Sequence, residues 1–396
     1  MKLLWFSNSP WSPTGYGEQT KQVVRRMRAD GHEVAIHANW GIVGAPQTVD
    51  GIPIFPQGAH PYSLDTMDYW ADQWLGERGL VISLYDVWPI EQERHDIYAK
   101  HDAWYWCPVD HVPPPPKVQA FLHDHNAIAM SDFGRQQLTN VGMPPAYTIP
   151  HAIDRTIFKP TESNMRDLMG IPDDAHLTCT VMANIGQAPV RKSWAENLNA
   201  WKHVAESHDD AHIYIHAQLQ HPRGIDLASM INLWGLPGDR VHVVDQGAYS
   251  GGVVTQDHLA AIYSTADVTL MATAGEGFGV PALESASCGT PVIGTDFSAQ
   301  PEVIGPAGWL VPYQPFWDYM QAAWQALPLI GGIRDALEQS YELSRDAGKT
   351  AEMRAAAIAH AEQYDADKVY AEHWRPFLAD REPKPNREQR RRRNTR

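Results

Sequence analysis

Cysteine is scarce in this chain of 396 residues: Cys107, Cys179 and Cys288 are odd in number and far apart. That spacing argues against a disulfide framework and against a zinc ribbon. Long apolar runs are missing as well. No stretch of about 18 apolar residues exists that could span a bilayer, and the opening MKLLWFSNSP has only five apolar residues before Ser7 and Asn8. It reads as a first β-strand rather than a signal peptide. Positive charge is in short supply: 32 Lys and Arg face 47 Asp and Glu, a formal charge of −15. A net acidic chain is a poor general binder of nucleic acid or anionic lipid. The G-x-G-x-x-G run that a nicotinamide dehydrogenase requires is also lacking. These absences together make a reducing cytoplasm the expected location.

What is present points to a two-domain α/β protein. The length suits two domains, and 43% apolar residues are enough for two cores. KLLWF (2–6) reads as a buried strand and SNSPWSPTGYG (7–17) as a turn-rich loop. A helix follows with Val23, Val24 and Met27 on one face and Lys21, Arg25, Arg26 and Arg28 late in its length, where cations complement the dipole. EVAIHA (33–38) then reads as a second strand, which completes a βαβ unit. LVISLY (80–85), AWYWCPV (103–109), AIAM (127–130) and AYTIP (146–150) continue the series. A second series begins with LTCTVMA (177–183) and a helix near 194–206. It continues through HIYIHA (212–217), RVHVVD (240–245), DVTLMA (267–272) and TPVIGT (290–295). Pro150, Pro160 and Pro172 bracket the linker between them. The stretch 349–379 reads as helical and able to return to the first domain. The tail 381–396 holds eight Lys and Arg against two Glu and no apolar periodicity, so it reads as disordered. It is either a solubilising terminus or a tether to an anionic partner.

Among the chemistry-bearing residues, TAGEGFGVPALESASCGTPVIGTDFSAQPEVIG (273–305) stands out. Glu276 falls in a turn after a strand, Pro281 suits the first turn of a helix, and Glu284 lies in that helix. The N–H groups of Phe278, Gly279 and Val280 are helix-start donors suited to an anion or a sugar hydroxyl. A carboxylate accepts hydrogen bonds from two neighbouring hydroxyls, so Glu284 suits a ribose diol and Glu276 a transferred sugar. A solvated helix start would favour acids equally, and spacing alone leaves the two readings even.

The whole run resembles the E-x7-E signature of retaining glycosyltransferases, especially glycosyltransferase family 4. SPTGYGEQ (12–19) resembles that family's glycine-rich first loop, where Gly15 and Gly17 would let the backbone approach a diphosphate. Tyr16 is inserted between glycines that are often adjacent in the family. YTIPHAIDRTIFKP (147–160) resembles its interdomain run, with His151, Asp154 and Phe158 at landmark positions and Ala152 in place of the usual glycine. Arg191 and Lys192, after the first strand of the second domain, match a basic pair placed against the donor diphosphate. Asn184 stands where the family usually has an arginine. Asp110 or His111, in CPVDHVPPPP (107–116), matches a histidine near the donor sugar, and Asp86 is a further polar candidate. The resemblance implies a GT-B fold, with two Rossmann-like doubly wound domains facing across a cleft. Residues 1–155 would bind the acceptor and 156–365 the nucleotide-sugar donor, with a crossover helix at 366–380 and the basic tail at 381–396.

It further implies transfer with retention, from a UDP- or GDP-type sugar to an acceptor hydroxyl on a glycan, lipid, protein or small molecule. No cofactor or metal is expected: His123 and His125 of HDH (123–125) would point apart on a helix, and the DAD at 365–367 reads as a helix cap. A GT-B phosphorylase, a sugar-nucleotide epimerase and a non-catalytic sugar-binding module are the alternatives. The abundance of aromatics, 15 Trp and 15 Tyr, fits either ordinary core packing or ring faces that stack on sugars.

Overall fold

The computed structural model describes residues 1–90, 100–185 and 191–382. Two parallel sheets organise it. The first has eight strands: β1 (Lys2–Ser7), β2 (Glu33–Ala38), β3 (Gln47–Val49), β4 (Ile52–Phe55), β5 (Leu80–Leu84), β6 (Asp102–Cys107), β7 (Asn126–Ala129) and β8 (Tyr147–Thr148). Their order is β3-β4-β2-β1-β5-β6-β7-β8, and only the β3–β4 pair is antiparallel. Strand β1 shows why these segments are nearly all apolar. Leu3 and Trp5 enter the core on one face while Leu4 and Phe6 enter the core on the other, all four fully buried. A parallel strand covered on both faces has no need of polar alternation.

The second sheet contains β9 (His176–Val181), β10 (Ala211–His216), β11 (Val241–Val243), β12 (Val268–Leu270), β13 (Val292–Thr295) and β14 (Gly308–Val311), ordered β11-β10-β9-β12-β13-β14 and parallel throughout. In each sheet the order reverses beside the first strand, between β1 and β5 and between β9 and β12. Ligand crevices of open α/β sheets lie at such switch points, beyond the carboxyl ends of the strands.

Besides the unread β3–β4 hairpin, two features depart from the sequence reading. An antiparallel hairpin, β15 (Tyr313–Asp318) and β16 (Ala323–Pro328), follows the second sheet. Pro312, Pro315 and Pro328 disguise it as loop. The structure accommodates Pro315 because β15 is an edge strand. The hairpin reaches the first domain, since Trp324 and Val112 exchange backbone N–H···O bonds of 2.9 Å each way. Second, the helical stretch 349–379 is broken. Helix Ala347–Ala361 stays against the second domain, the chain extends at Asp365 (φ −56°, ψ 135°), and a new helical run begins at Ala366. Asp365 caps that run by accepting from the N–H groups of Asp367 and Lys368.

Only this last segment crosses back. Its Trp374 sits edge-on to Trp5 and Trp106, with centroids 5.6 and 5.0 Å apart, and is 1% exposed. Phe377 packs on Trp104, and Arg375 pairs with Asp30 at 2.7 Å. Arg381, the first residue of the basic tail, stacks on Trp104 and Phe377 at 3.8 Å. The remainder of the tail, from 383, lies outside the described residues. No helix among the described residues is long and apolar enough to cross a membrane.

Removing the Trp374 ring leaves a void lined by two other indoles. Trp374→Ala is therefore expected to cost about 3–5 kcal/mol, measured as a lower midpoint in urea denaturation. Leu168→Ala, at a side chain 69% exposed, should leave the midpoint unchanged.

Candidate functional site

The loops that leave the strand ends at both switch points meet. The β12 loop carries Glu276, whose N–H donates to Ser298 Oγ at 2.9 Å and whose carbonyl accepts from Ala299 N at 3.3 Å. Gly277 packs so closely on Pro108 of the first domain that a Cβ there would stand 2.4 Å from the proline Cβ. The β9 loop brings Arg191 and Lys192. Lys192 Nζ lies 2.6 Å from Glu276 Oε1, and Arg191 Nη1 lies 3.2 Å from Oε2. Arg191 also donates to the Gly275 carbonyl at 2.7 Å and approaches Asp110 Oδ2 at 3.9 Å. Asp110 Oδ1 lies 2.7 Å from His111 Nδ1, and His111 Nε2 lies 3.5 Å from Asp318 of the hairpin. One charge-alternating chain thus runs from Lys192 through Glu276, Arg191, Asp110 and His111 to Asp318.

The surroundings fix the charges. Burial favours a neutral Glu276, but Lys192 and Arg191 outweigh it and hold the carboxyl below its ordinary range. Burial, reinforced by Arg191, lowers Lys192. Asp110 is drawn down to about 2 despite its burial, chiefly by His111 and then by Arg191. Burial works against a charged His111, yet Asp110 and Asp318 raise it. The cluster is close to balanced, with each cation already engaged by an anion.

Glu284 stands apart. It is 8% exposed, its carboxylate accepts from the Tyr263 hydroxyl at 3.3 Å, and burial aided by Glu18 pushes it up to about 8. Glu18 belongs to helix Gly15–Ala29 of the first domain, so Glu284 too faces across the cleft. Helix Val280–Ser287 carries it, with Pro281 in the first turn. Phe278 stacks on His151 at 5.1 Å. Among the described residues the N–H groups of Phe278, Gly279 and Val280 donate to no protein acceptor.

The glycine loop needs a correction. Gly17 closes the loop itself: its N–H donates to Thr14 Oγ1 at 3.0 Å, and a Cβ on it would stand 2.3 Å from the Ser12 carbonyl. It is buried, so its missing side chain serves the loop's own closure. Gly15 opens onto free space. The inserted Tyr16 has a use that spacing did not reveal. Its hydroxyl hydrogen-bonds Asp86, which burial and the neighbouring Asp110 raise to about 6. Asp318 and Ser298 were likewise missed, the first because it sits in the unread hairpin and the second because only the fold brings it to Glu276.

Asn184 is no arginine substitute. Its amide brackets two loops by donating to the Gln218 and Ile225 carbonyls. Residues 186–190, which precede Arg191, lie outside the described residues. His151 is buried between Trp106 and Phe278, Asp154 accepts from Thr156 in a local turn, and Phe158 packs against Tyr263. His123 stays exposed beside Asp124, whereas His125 stacks on Phe121 at 4.2 Å. Among the described residues, no three or more His, Cys, Asp and Glu side chains are grouped as a metal site.

Comparison with known proteins finds similarity to glycosyltransferases. The sequence profile of a family described as glycosyl transferases group 1 matches residues 179–327, the part that contains Arg191, Lys192, Glu276 and Glu284. A D-inositol 3-phosphate glycosyltransferase of Streptomyces bingchenggensis is 33% identical over 132 residues, 31% of this chain and 25% of the relative. A GDP-mannose-dependent α-(1-6)-phosphatidylinositol dimannoside mannosyltransferase of Mycobacterium tuberculosis is 24% identical over 179 residues, 45% of this chain and 42% of the relative. The matched region thus spans from a quarter to about two fifths of these curated relatives. Among solved structures, sucrose-phosphate synthase of Thermosynechococcus elongatus superposes with a TM-score of 0.71 at 16% identity, over 96% of this chain and 100% of the other. The Anabaena HepE protein in complex with UDP-glucose superposes at 0.70, with the same identity and coverage. The fold is therefore GT-B.

The raised Glu284 makes a pH prediction. The folded state keeps this proton up to about pH 8, whereas an unfolded glutamate releases it near about 4.3. Stability is therefore lost as pH rises between those values, because the folded state binds more protons. Glu284→Gln, which cannot ionise, should raise the melting temperature of the ligand-free protein more at pH 8 than at pH 5. An equal shift at both pH values would show that Glu284 ionises normally.

Proposed function

We propose that this chain is a retaining glycosyltransferase of the family 4 type, which moves a sugar from a UDP- or GDP-type donor to an acceptor hydroxyl. The observation that carries this reading is the pairing of Arg191 and Lys192 with Glu276 at the switch point of a GT-B cleft. The second domain holds the donor and the first holds the acceptor. As the glycosidic bond breaks, the nucleoside diphosphate gains charge, and fixed cations lower the barrier by meeting charge where it develops. Arg191 and Lys192 supply them, aided by the N–H groups of Phe278, Gly279 and Val280. Glu276, released from its ion pairs when the diphosphate takes the cations, holds hydroxyls of the transferred sugar. Glu284 accepts from the ribose diol, and Asp110 with His111 faces the donor sugar from the first domain. The acceptor hydroxyl attacks on the face that the nucleotide leaves, and a departing phosphate oxygen takes its proton. Positioning and charge stabilisation do the catalytic work, and the reading calls on no metal. Three unpaired, buried thiols fit a reducing cytoplasm.

A thermal-shift panel with UDP, GDP, ADP, CMP and NAD tests the reading, because a ligand that binds the native state raises the melting point by mass action. UDP or GDP should give a shift that Glu284→Ala abolishes, and a shift with ADP instead would reassign the donor base. A shift with NAD alone would overturn the reading. Turnover on the donor so identified should fall roughly 100-fold or more in Glu276→Gln, with the fold intact by circular dichroism. Wild-type turnover would remove Glu276 from the site.

A further inference from the structure

The first domain carries a second concavity, separate from the charged cluster, in the loops that leave β1, β2 and β4. It has a volume of about 570 Å³ and is lined by Trp11, Trp40, Ile42, Val43, Gln47 and Gln57, within the roughly 300–1,000 Å³ of small-molecule sites. Its indoles are exposed, and the loops that carry them are braced. Trp11 Nε1 donates to the Gly41 carbonyl at 2.7 Å. The Trp40 carbonyl accepts from Ser9 N at 2.9 Å and from Ser12 Oγ at 3.2 Å, and Gln57 N donates to the Ile42 carbonyl at 3.0 Å. Gly41 has a φ of +102°, and a Cβ there would stand 2.1 Å from Ser9 Oγ, so only glycine lets the two loops close on each other. This bracing leaves Trp11 44%, Trp40 48% and Val43 72% exposed. Large apolar side chains left in water on braced loops, instead of folded inward, mark a ligand surface.

We propose that this concavity is a carbohydrate subsite that holds the acceptor glycan at a distance from the transfer centre. The inference rests on the glycosyltransferase reading only for the word acceptor; the sugar chemistry is read from the wall. Indole faces pack on the apolar faces of pyranose rings, and the Gln47 and Gln57 amides each donate and accept, as ring hydroxyls require. Charge favours this ligand over an anionic lipid surface. The runs 8–15 and 39–60, which build the concavity, contain no Lys or Arg, whereas anionic membranes are recognised by clustered cations. The concavity is joined to the site already described through the chain. The loop that carries Trp11 runs directly into Gly15 and Tyr16, and Tyr16 reaches Asp86 in the cleft. In sheet order β2 is three strands from β6, or about 14 Å at the usual strand spacing. A glycan held here and reacting beside Asp110 therefore spans more than one sugar ring.

The test uses the full chain, fluorescently labelled, on an array of bacterial and eukaryotic oligosaccharides. The wild type should retain a subset of glycans, and Trp40→Ala should lower that signal at least tenfold. Trp11→Phe, which keeps a ring but loses the Gly41 bond, should lower it less; it decides the matter if Trp40→Ala melts early. The nucleoside diphosphate thermal shift should survive in both variants. Retention of no glycan, or retention unchanged by Trp40→Ala, overturns the proposal while leaving the donor reading standing. So does sedimentation with phosphatidylglycerol vesicles that the variants lose, which would assign the surface to lipid. Tryptophan-dependent glycan retention without any nucleotide shift would instead sink the donor reading and keep the subsite.

Discussion

Glu276 carries a negative charge at 6% exposure, a state that only its ion pairs with Arg191 and Lys192 permit. Lys192 is its buried partner, and removal of one partner from a buried pair leaves an uncompensated charge and costs several kcal/mol. The pair therefore constrains both the β9 and β12 loops, and through Arg191 it reaches Asp110 of the first domain. The cations are not idle charges awaiting a ligand. In the proposed function, a diphosphate exchanges with Glu276 on Arg191 and Lys192 and frees Glu276 for sugar hydroxyls.

Several contacts hold the two domains in register. Trp374 locks the final helical segment into the core beneath β1 and β6. Lys21 Nζ donates to Gln256 across the cleft at 2.9 Å. Glu302 caps helix Asp132–Asn140 from the other domain, accepting from Asp132 N at 3.0 and 2.9 Å. The β15–β16 hairpin closes the remaining side through Val112, and its Asp318 keeps His111 oriented.

The parallel strands were legible in the sequence because burial on both faces leaves an unbroken apolar run, as in KLLWF and HIYIHA. The β3–β4 and β15–β16 hairpins were not, since short strands interrupted by Pro53 and Pro315 carry no such run. Glu276, Arg191 and Lys192 were nominated by resemblance, because their convergence over 84 residues is tertiary and leaves no local periodicity. Gly17 was assigned to a ligand when its lack of a side chain serves the loop's own closure. Tyr16 looked like an interruption, yet it pairs with Asp86 through a register that only the sheet order β1-β5-β6 creates.

The central claim is that Arg191 and Lys192 bind a diphosphate by exchange with Glu276. Isothermal titration of the wild type and the Arg191→Ala, Lys192→Ala double variant, with a nucleoside diphosphate and with its parent nucleoside, tests it most directly. Each charged hydrogen bond lost is worth about 1.5–3 kcal/mol, so diphosphate affinity should fall at least a hundredfold while nucleoside affinity stays the same. An equal loss for both ligands, or no loss for either, would mean that the basic pair does not touch phosphate.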